Sequence, residues 1–343
     1  MKSIVYSETG PASSVLSLVN RDLPEPGPGE VRVRVVVSGV NPTDWKSRVG
    51  QKPGESLPFA EVTPNQDGAG VVDAVGPEVE GVSVGDRVWL FLSAYQRPTG
   101  TAQEFTVVPA SRVAPLPDGV DMRVGASLGV PAMTAHRALT VAEDGPRRLA
   151  PGALTGHTVL VSGGAGAVGH AAIQLARWAG ATVVTTISND EKAALATAAG
   201  AHHVVNYREG DTAAAIRDVA PDGVDLVVEV SIAQNADLDA AVVANRASIA
   251  MYADNGGDTA VLPIRANMGL NTRYQFVLVY TEGEEALQAA AEDVTVALRD
   301  GVLAVGDEAG LPLHLFSLAD TAAAHEAVEN DAVGKVLIEV GSE

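Results

Sequence analysis

Gly164, Gly166 and Gly169 stand at G-x-G-x-x-G spacing, directly after the apolar run Val159-Leu160-Val161 and before Ala171-Ala172-Ile173-Gln174-Leu175-Ala176. Strand, glycine turn and helix in that order form a cradle for the pyrophosphate of a dinucleotide. The first glycine permits a tight turn, and the second lets backbone approach the phosphates. The third lets the helix pack closely on its strand. Free N–H groups at the helix N-terminus complete the anion site.

The next strand ends Thr185-Thr186-Ile187-Ser188, with no carboxylate at its tip to take a ribose hydroxyl; Asp190 and Glu191 follow only in the next turn. Ser188 can donate to a 2′-phosphate, and Lys192 lies one helical turn further on. Tyr207 and Arg208, after the following strand, reach the same end. Singly, Ser188 reads as an N-cap and Lys192 as a solvated helix residue. Together they favour NADPH over NADH.

A chain of 343 residues is long enough for two domains with separate cores. Aromatic residues make up only 4%, so the interior must be packed with Val, Ala and Leu. No apolar run approaches the ~20 residues of a membrane helix. Met1-Lys2-Ser3-Ile4-Val5-Tyr6 alternates like a strand and lacks a signal-peptide core, so a cytoplasmic location is expected. A net charge of −20 speaks against nucleic acid and anionic membranes as partners. It implies a solvated acidic surface, with adaptation to high salt as the alternative. There is no cysteine, which removes disulfides, thiol nucleophiles and thiolate-held zinc.

Residues 1–125 read as β-rich. The segment 31–37 alternates before turning wholly apolar, and 68–76 and 86–91 are further short strands between Pro and Gly. From residue 126 the rhythm is strand, helix, strand. Strands are expected at 158–162, 181–187, 203–205, 224–230, 248–252 and 276–280. Helices are expected at 167–178, 191–199, 212–219 and 236–244. Ser188 or Asn189 caps the second helix, and Gly200 closes it. This alternation predicts an α/β fold with a six-stranded, doubly wound parallel sheet. Segment 144–157 reads as a surface excursion. Ser317-Leu318-Ala319-Asp320 looks like a capping box before an Ala-rich helix, and 336–340 is a last strand rejoining the first domain. The expected division is 1–125 completed by 285–343, with 126–284 as the nucleotide-binding domain.

With these elements in place the chain resembles the medium-chain dehydrogenase/reductase superfamily, and within it the zinc-free quinone oxidoreductase branch that includes zeta-crystallin. Gly39-Val40-Asn41-Pro42, Asp67-Gly68-Ala69-Gly70-Val71-Val72, Val84-Gly85-Asp86-Arg87-Val88 and Gly129-Val130-Pro131-Ala132-Met133-Thr134-Ala135 carry the resemblance. The glycine turn, segment 200–209 and Ala324-His325-Glu326 extend it along essentially the whole chain. It implies a GroES-like β-rich catalytic domain and a Rossmann domain, with the ligand cleft between them. It places the pyrophosphate over Ala165, Gly166, Ala167 and Val168, and the 2′-phosphate on Ser188, Lys192 and Tyr207. Ser231, Tyr252 and Ala253 would flank ribose and nicotinamide, and Val277 and Leu278 would approach the carboxamide through backbone. Asn41, Trp45 and Thr134 would line the nicotinamide and substrate pocket.

Zinc alcohol dehydrogenases of this superfamily hold their metal with a Cys and a His-Glu pair. Here Asn41 and Gln66-Asp67 take those positions, and no metal ligand set is expected. The resemblance therefore implies metal-free hydride transfer from NADPH to a quinone or an α,β-unsaturated carbonyl, whose oxygen needs only hydrogen-bond donors. No residue is singled out as catalytic proton donor. From Asn41 to Lys52 there is no Tyr of the kind enoyl-thioester reductases use, which counts against that alternative. A low-turnover NADPH-binding protein with a structural or regulatory role is the other. Relatives commonly dimerise through the last strand, so a homodimer through Phe276-Val277-Leu278-Val279-Tyr280 is expected.

Overall fold

The computed structural model describes residues 1–50 and 56–343; Gln51 and Lys52, the end of the Tyr-free segment, lie outside them. The chain forms two units, Met1–Val130 with Leu313–Glu343, and Pro131–Pro312.

The first unit is organised by strand Glu30–Val40, rich in β-branched residues and buried along almost its whole length. It pairs antiparallel with Asp67–Val75, Phe105–Pro109 and Lys335–Glu339 inside a seven-stranded sheet. Two register shifts against Asp67–Val75 let it bend. The polar half of its alternation is not wet: Arg32 is 8% exposed and donates to Asp73 Oδ2 at 2.6 Å and to the Pro24 carbonyl. Val31, Val33, Val72, Val88, Leu90 and Val108 fill one core. The C-terminal tail returns here as expected, since Leu318, Ala324, Val336 and Ile338 pack with Ile4, Val40 and Ala102. The expected capping box is instead a hydroxyl–carboxylate bond, Ser317 Oγ to Asp320 Oδ2 at 2.5 Å, before helix Thr321–Glu329.

The second unit holds six parallel strands in the order His203–Asn206, Thr182–Ile187, Thr158–Ser162, Val224–Glu229, Val243–Met251, Arg273–Phe276. The reversal of strand order falls between Thr158–Ser162 and Val224–Glu229, where such sheets bind ligands. Leu160, Val184, Val227 and Ile249 are fully buried in its core.

Several boundaries differ from expectation. The helix expected at 236–244 is Ile232–Val242, because Val243 already pairs with Val224 in the sheet. The last strand is Arg273–Phe276 rather than 276–280. Val277 N–H closes the ladder on Met251 O, and Val279–Thr281 turns as a 3-10 helix. The first unit extends to Val130 rather than to residue 125, because Ala126 and Gly129 pack against Gly39 and Asp67 with no room for a Cβ on either glycine.

Helix Glu284–Arg299 belongs to the second unit, not to the tail. Its buried Asp293 accepts from Leu149 N–H at 2.7 Å and from Arg148 Nε at 2.8 Å, and pairs with His136 Nε2 at 2.8 Å. Segment 144–157 is thus more than a surface excursion; Leu149 and Leu154 are each 2% exposed. Burial raises the Asp293 pKa, but the bonds from His136, Arg148 and Leu149 outweigh it and hold the carboxyl below its usual range. Among the described residues, no helix is long and apolar enough to cross a membrane.

Asp293→Ala would strand the buried His136 ring and the Leu149 N–H without an acceptor. A loss of about 3 kcal/mol is expected in the urea unfolding of the second unit, with Asp293→Asn losing less.

Candidate functional site

The glycine turn follows strand Thr158–Ser162 and opens helix Ala167–Trp178. The left-handed residue is Gly163, at φ +73°, rather than Gly164. Gly164 is required for another reason: a Cβ there would lie 2.2 Å from Thr185 Oγ1. A Cβ on Gly169 would lie 2.4 Å from Gly163 O, so the helix packs on the turn as its spacing implies. Gly166 differs. Its added Cβ would meet nothing nearer than 3.5 Å, and as N-cap it leaves the helix N-terminus without a side-chain cap. Open space before uncapped N–H groups fits a pyrophosphate.

Tyr207 N–H bonds Ile187 O at 3.0 Å, which sets Tyr207 beside the end of strand Thr182–Ile187 and next to Ser188. Asn189, not Ser188, caps helix Asp190–Ala198 by accepting from Lys192 N–H at 2.9 Å. Ser188 is buried, Lys192 half-buried and Tyr207 exposed.

Sequence reasoning missed Glu229, which ends strand Val224–Glu229 at the strand-order reversal and is fully buried. It accepts from Ser162 Oγ at 2.6 Å and Asn235 Nδ2 at 2.9 Å, and also from Ser231 N–H. A carboxylate closing the apolar run Leu226-Val227-Val228 was the available signal. Glu229 therefore sets the position of Ser231, whose hydroxyl donates to Asn255 O at 2.7 Å. Tyr252 N–H bonds Glu229 O, and burial, then the Glu229 charge, pushes the Tyr252 phenol up. Burial and the same charge hold nearby Asp239 far above the carboxylate range, and neither of its oxygens has a partner. Ala253 is half-buried, Val277 is buried and Leu278 is 54% exposed.

The first unit carries a second cluster. Strand register puts Val336 opposite Val40 and Asp67 opposite Gly39, so Lys335, Asn41 and Asp67 converge. Lys335 Nζ donates to Asn41 Oδ1 at 2.6 Å and lies 3.6 Å from Asp67 Oδ2. Asn41 Nδ2 donates to the same Asp67 oxygen at 2.6 Å, and Val130 N–H to its other oxygen at 2.8 Å. Asp44, three residues into helix Pro42–Val49, accepts from Asn41 N–H at 2.7 Å and Gln66 N–H at 3.1 Å. Burial raises Asp67 and lowers Lys335 against the pull of their pairing. Burial and the Asp67 charge push Asp44 up to about 8.

Asn41, expected to face the nicotinamide with a polar amide, is 2% exposed, with both ends of its amide engaged. Trp45 is half-buried in this unit, and Thr134, in the other, is 5% exposed. Deeper lie Arg48, fully buried and paired with Glu329 at 2.6 Å, and His325, whose Nε2 bonds Asn65 Oδ1 at 2.9 Å. Lys335 is one of only five lysines, but its role depends on pairing across nearly the whole chain and left no local sign. Among the described residues, no group of three His, Cys, Asp or Glu side chains is placed to hold a metal.

Two family models match: the alcohol dehydrogenase GroES-like domain over residues 27–118, and the zinc-binding dehydrogenase domain over residues 167–294. A quinone oxidoreductase of Rattus norvegicus is 30% identical over 324 residues, covering 92% of this chain and 91% of its own. A mycobacterial quinone oxidoreductase structure is 30% identical, with a TM-score of 0.83 and 99% of both chains covered. A mycobacterial protein solved in complex with NADPH is also 30% identical, with a TM-score of 0.80 and coverage of 99% and 100%. An NAD-dependent alcohol dehydrogenase structure is 27% identical, with a TM-score of 0.85 and coverage of 99% and 100%.

Burial lowers His325 to about 3 and His170 to about 4, so between those values and 6.5 only the unfolded chain takes up their protons. Stability should fall as pH drops below 6.5, and His325→Gln should lessen that slope. Asp44 acts oppositely: between 3.8 and about 8 the folded chain retains a proton the unfolded chain has lost, so stability falls as pH rises through that window. Melting temperatures across pH should show a shallower alkaline decline in Asp44→Asn, even where that variant is less stable throughout.

Proposed function

Because the chain belongs to the quinone oxidoreductase, zeta-crystallin-like branch of the medium-chain dehydrogenase/reductase superfamily, we propose that it is a metal-free NADPH-dependent reductase. Its acceptor is a quinone or an α,β-unsaturated carbonyl. The observation that carries the reading is the turn from Gly163 to Gly169, which leaves open space and uncapped N–H groups at Gly166.

Bound NADPH supplies a hydride, and the acceptor takes that hydride plus one proton. The chain's own residues bind and orient. Backbone N–H groups of Ala167 and Val168 neutralise the pyrophosphate. Ser188, Lys192 and Tyr207 hold the 2′-phosphate, which selects NADPH over NADH. Glu229, through Ser162 and Ser231, fixes the end of the sheet where the nicotinamide half would lie. The donor set supports chemistry without a metal. The chain has no cysteine, and the Asn41 and Asp67 oxygens face the Lys335 ammonium, which repels a second cation.

A homodimer through the edge strand Arg273–Phe276 and the residues after it completes the proposal. This strand ends the sheet, and Phe276 and Leu278 are 76% and 54% exposed. Light scattering should give twice the chain mass, and Phe276→Lys should return the monomer.

The decisive assay follows NADPH consumption with phenanthrenequinone or hexenal as acceptor, with NADH in parallel. Lys192→Ala is expected to raise KM for NADPH about tenfold while leaving NADH turnover alone. Gly166→Val should abolish NADPH binding in a folded protein. Equal use of NADH and NADPH by the unaltered chain would sink the roles given to Ser188, Lys192 and Tyr207. Tight NADPH binding with no turnover of either acceptor would sink the reductase.

A further inference from the structure

We propose that Asn255 is a self-modifying site: the Gly256 backbone nitrogen displaces its side-chain amide, and the isoaspartate that results loosens the turn that Ser231 anchors. Water is the sole co-reactant. The chemical conversion stands independently of the reductase reading, whereas its effect on cofactor binding rests on that reading.

Asn255-Gly256 is the only Asn-Gly step in the chain. It lies in the turn after strand Val243–Met251, closed by a bond from Gly257 N–H to Asp254 O at 3.1 Å. Asn255 and Gly256 are both exposed. Among the described residues, nothing hydrogen-bonds the Asn255 carboxamide or the Gly256 N–H, so electrophile and nucleophile are both unheld. Gly256, at φ +83°, has no side chain to obstruct approach to its nitrogen. Every other asparagine precedes a residue whose side chain crowds that position.

Loss of the Gly256 N–H proton lets the nitrogen attack Asn255 Cγ. The new C–N bond closes a cyclic imide, and the side-chain nitrogen departs as ammonia with that proton. Water then opens the ring. Cleavage at Cγ gives aspartate with the backbone restored; cleavage at the Asn255 carbonyl carbon gives isoaspartate. No electrons change hands, and in sum an amide and water become a carboxylate and ammonium.

The isoaspartate product acts on a defined contact. Asn255 O accepts from Ser231 Oγ at 2.7 Å. In isoaspartate that carbonyl leaves the main chain as a free carboxylate, and the chain runs on through Cγ, longer by a carbon. Ser231 N–H is held by the buried Glu229, so the new charge forms near an anion that already raises Asp239 and Tyr252. Like charges repel, and Ser231 loses its fixed acceptor. A Cβ on Gly256 would lie 2.7 Å from the Gln234 side chain, so the turn packs on the start of helix Ile232–Val242. It cannot lengthen without a shift there. Ser231 is among the residues assigned above to ribose and nicotinamide, and cofactor affinity is therefore the readout.

The test ages the full chain at mildly alkaline and mildly acidic pH, with a urea-unfolded sample as the unrestrained reference. Peptide mapping by mass spectrometry, with fragmentation that separates aspartate from isoaspartate, follows every asparagine. NADPH binding is titrated by fluorescence in fresh and aged samples. Asn255→Ser, which keeps the backbone carbonyl that Ser231 holds, is the unreactive control. Conversion is expected at Asn255 ahead of every other asparagine of the folded chain, faster at alkaline pH, with isoaspartate exceeding aspartate. The converted chain should bind NADPH about fivefold more weakly, the worth of an ordinary hydrogen bond, while aged Asn255→Ser binds like the fresh chain. An intact Asn255 in the folded chain, once the unfolded sample has converted, overturns the site. A fully converted chain with unchanged NADPH affinity overturns the effect on the turn. If the fresh chain does not bind NADPH, the reductase reading fails by itself, and the mass map still decides the modification.

Discussion

The dehydrated contact among Lys335, Asn41 and Asp67 exists only while three strands hold one register. Lys335–Glu339, Glu30–Val40 and Asp67–Val75 each contribute one member from a strand end or the residue beside it. A slip of one residue in any of them would turn the side chain to the opposite face. The attraction between ammonium and carboxylate at this separation is about 4 kcal/mol in an effective medium of moderate polarity. Dehydrating each ion costs several kcal/mol, so the pair comes close to breaking even. Its effect is therefore selective: alternatives that leave either charge buried alone are worse by about 3–5 kcal/mol. Register, and with it the placement of Asn41, follows from that penalty.

The second unit solves a similar problem with a different partner set. Glu229 is as deeply buried as Asp67 but meets no lysine among the described residues; it is satisfied by a hydroxyl, a backbone N–H and a carboxamide. Those donors come from the end of one central strand and from the turn and helix after the next, so the carboxylate clasps the sheet at its reversal of order. Asp239 has no such donors and lies within the field of Glu229. A buried charge there would have no compensation, and burial together with the neighbouring Glu229 raises the Asp239 carboxyl well above the usual range.

Periodicity and glycine spacing made the second unit readable, because a parallel sheet buries its strands in continuous apolar runs and its turns are local. The strands near residues 158, 182, 203 and 224 were legible for that reason. Reading failed where a tertiary bond set the boundary. Val243 looked helical beside Val242 but pairs with Val224, and residues 277–280 looked like strand until Val277 capped the ladder. Helix Glu284–Arg299 gave no sign of which unit it joins, because its allegiance is fixed by Asp293 reaching back to His136 and Leu149. The glycine turn and the placement of Tyr207 beside Ser188 were legible; the partners of Asn41 were not. Lys335 reaches Asn41 across 294 residues, and no local pattern encodes a meeting at that separation.

A chain with net charge −20 is an unpromising host for an anionic cofactor only if long-range charge decides affinity. At physiological salt, exposed charges farther away than about 8 Å are largely screened. The turn from Gly163 to Gly169 contains no charged side chain, and its free N–H groups act at contact distance in any ionic strength. Only at the proposed 2′-phosphate edge do local ions matter. Lys192 and Arg208 there are opposed by Asp190, Glu191 and Glu209, so the balance must come from geometry rather than sum. Ser188 is buried after the strand end, and the Tyr207 backbone N–H is held on Ile187 O, so the backbone that carries two neutral hydroxyls is set before any ligand arrives. Preorganised neutral donors lose little to ordering on binding and nothing to the repulsion of a distant acidic surface. The acidity is thus compatible with NADPH because the proposed site draws mainly on backbone and hydroxyl dipoles, with Lys192 as a local charge at the proposed 2′-phosphate edge.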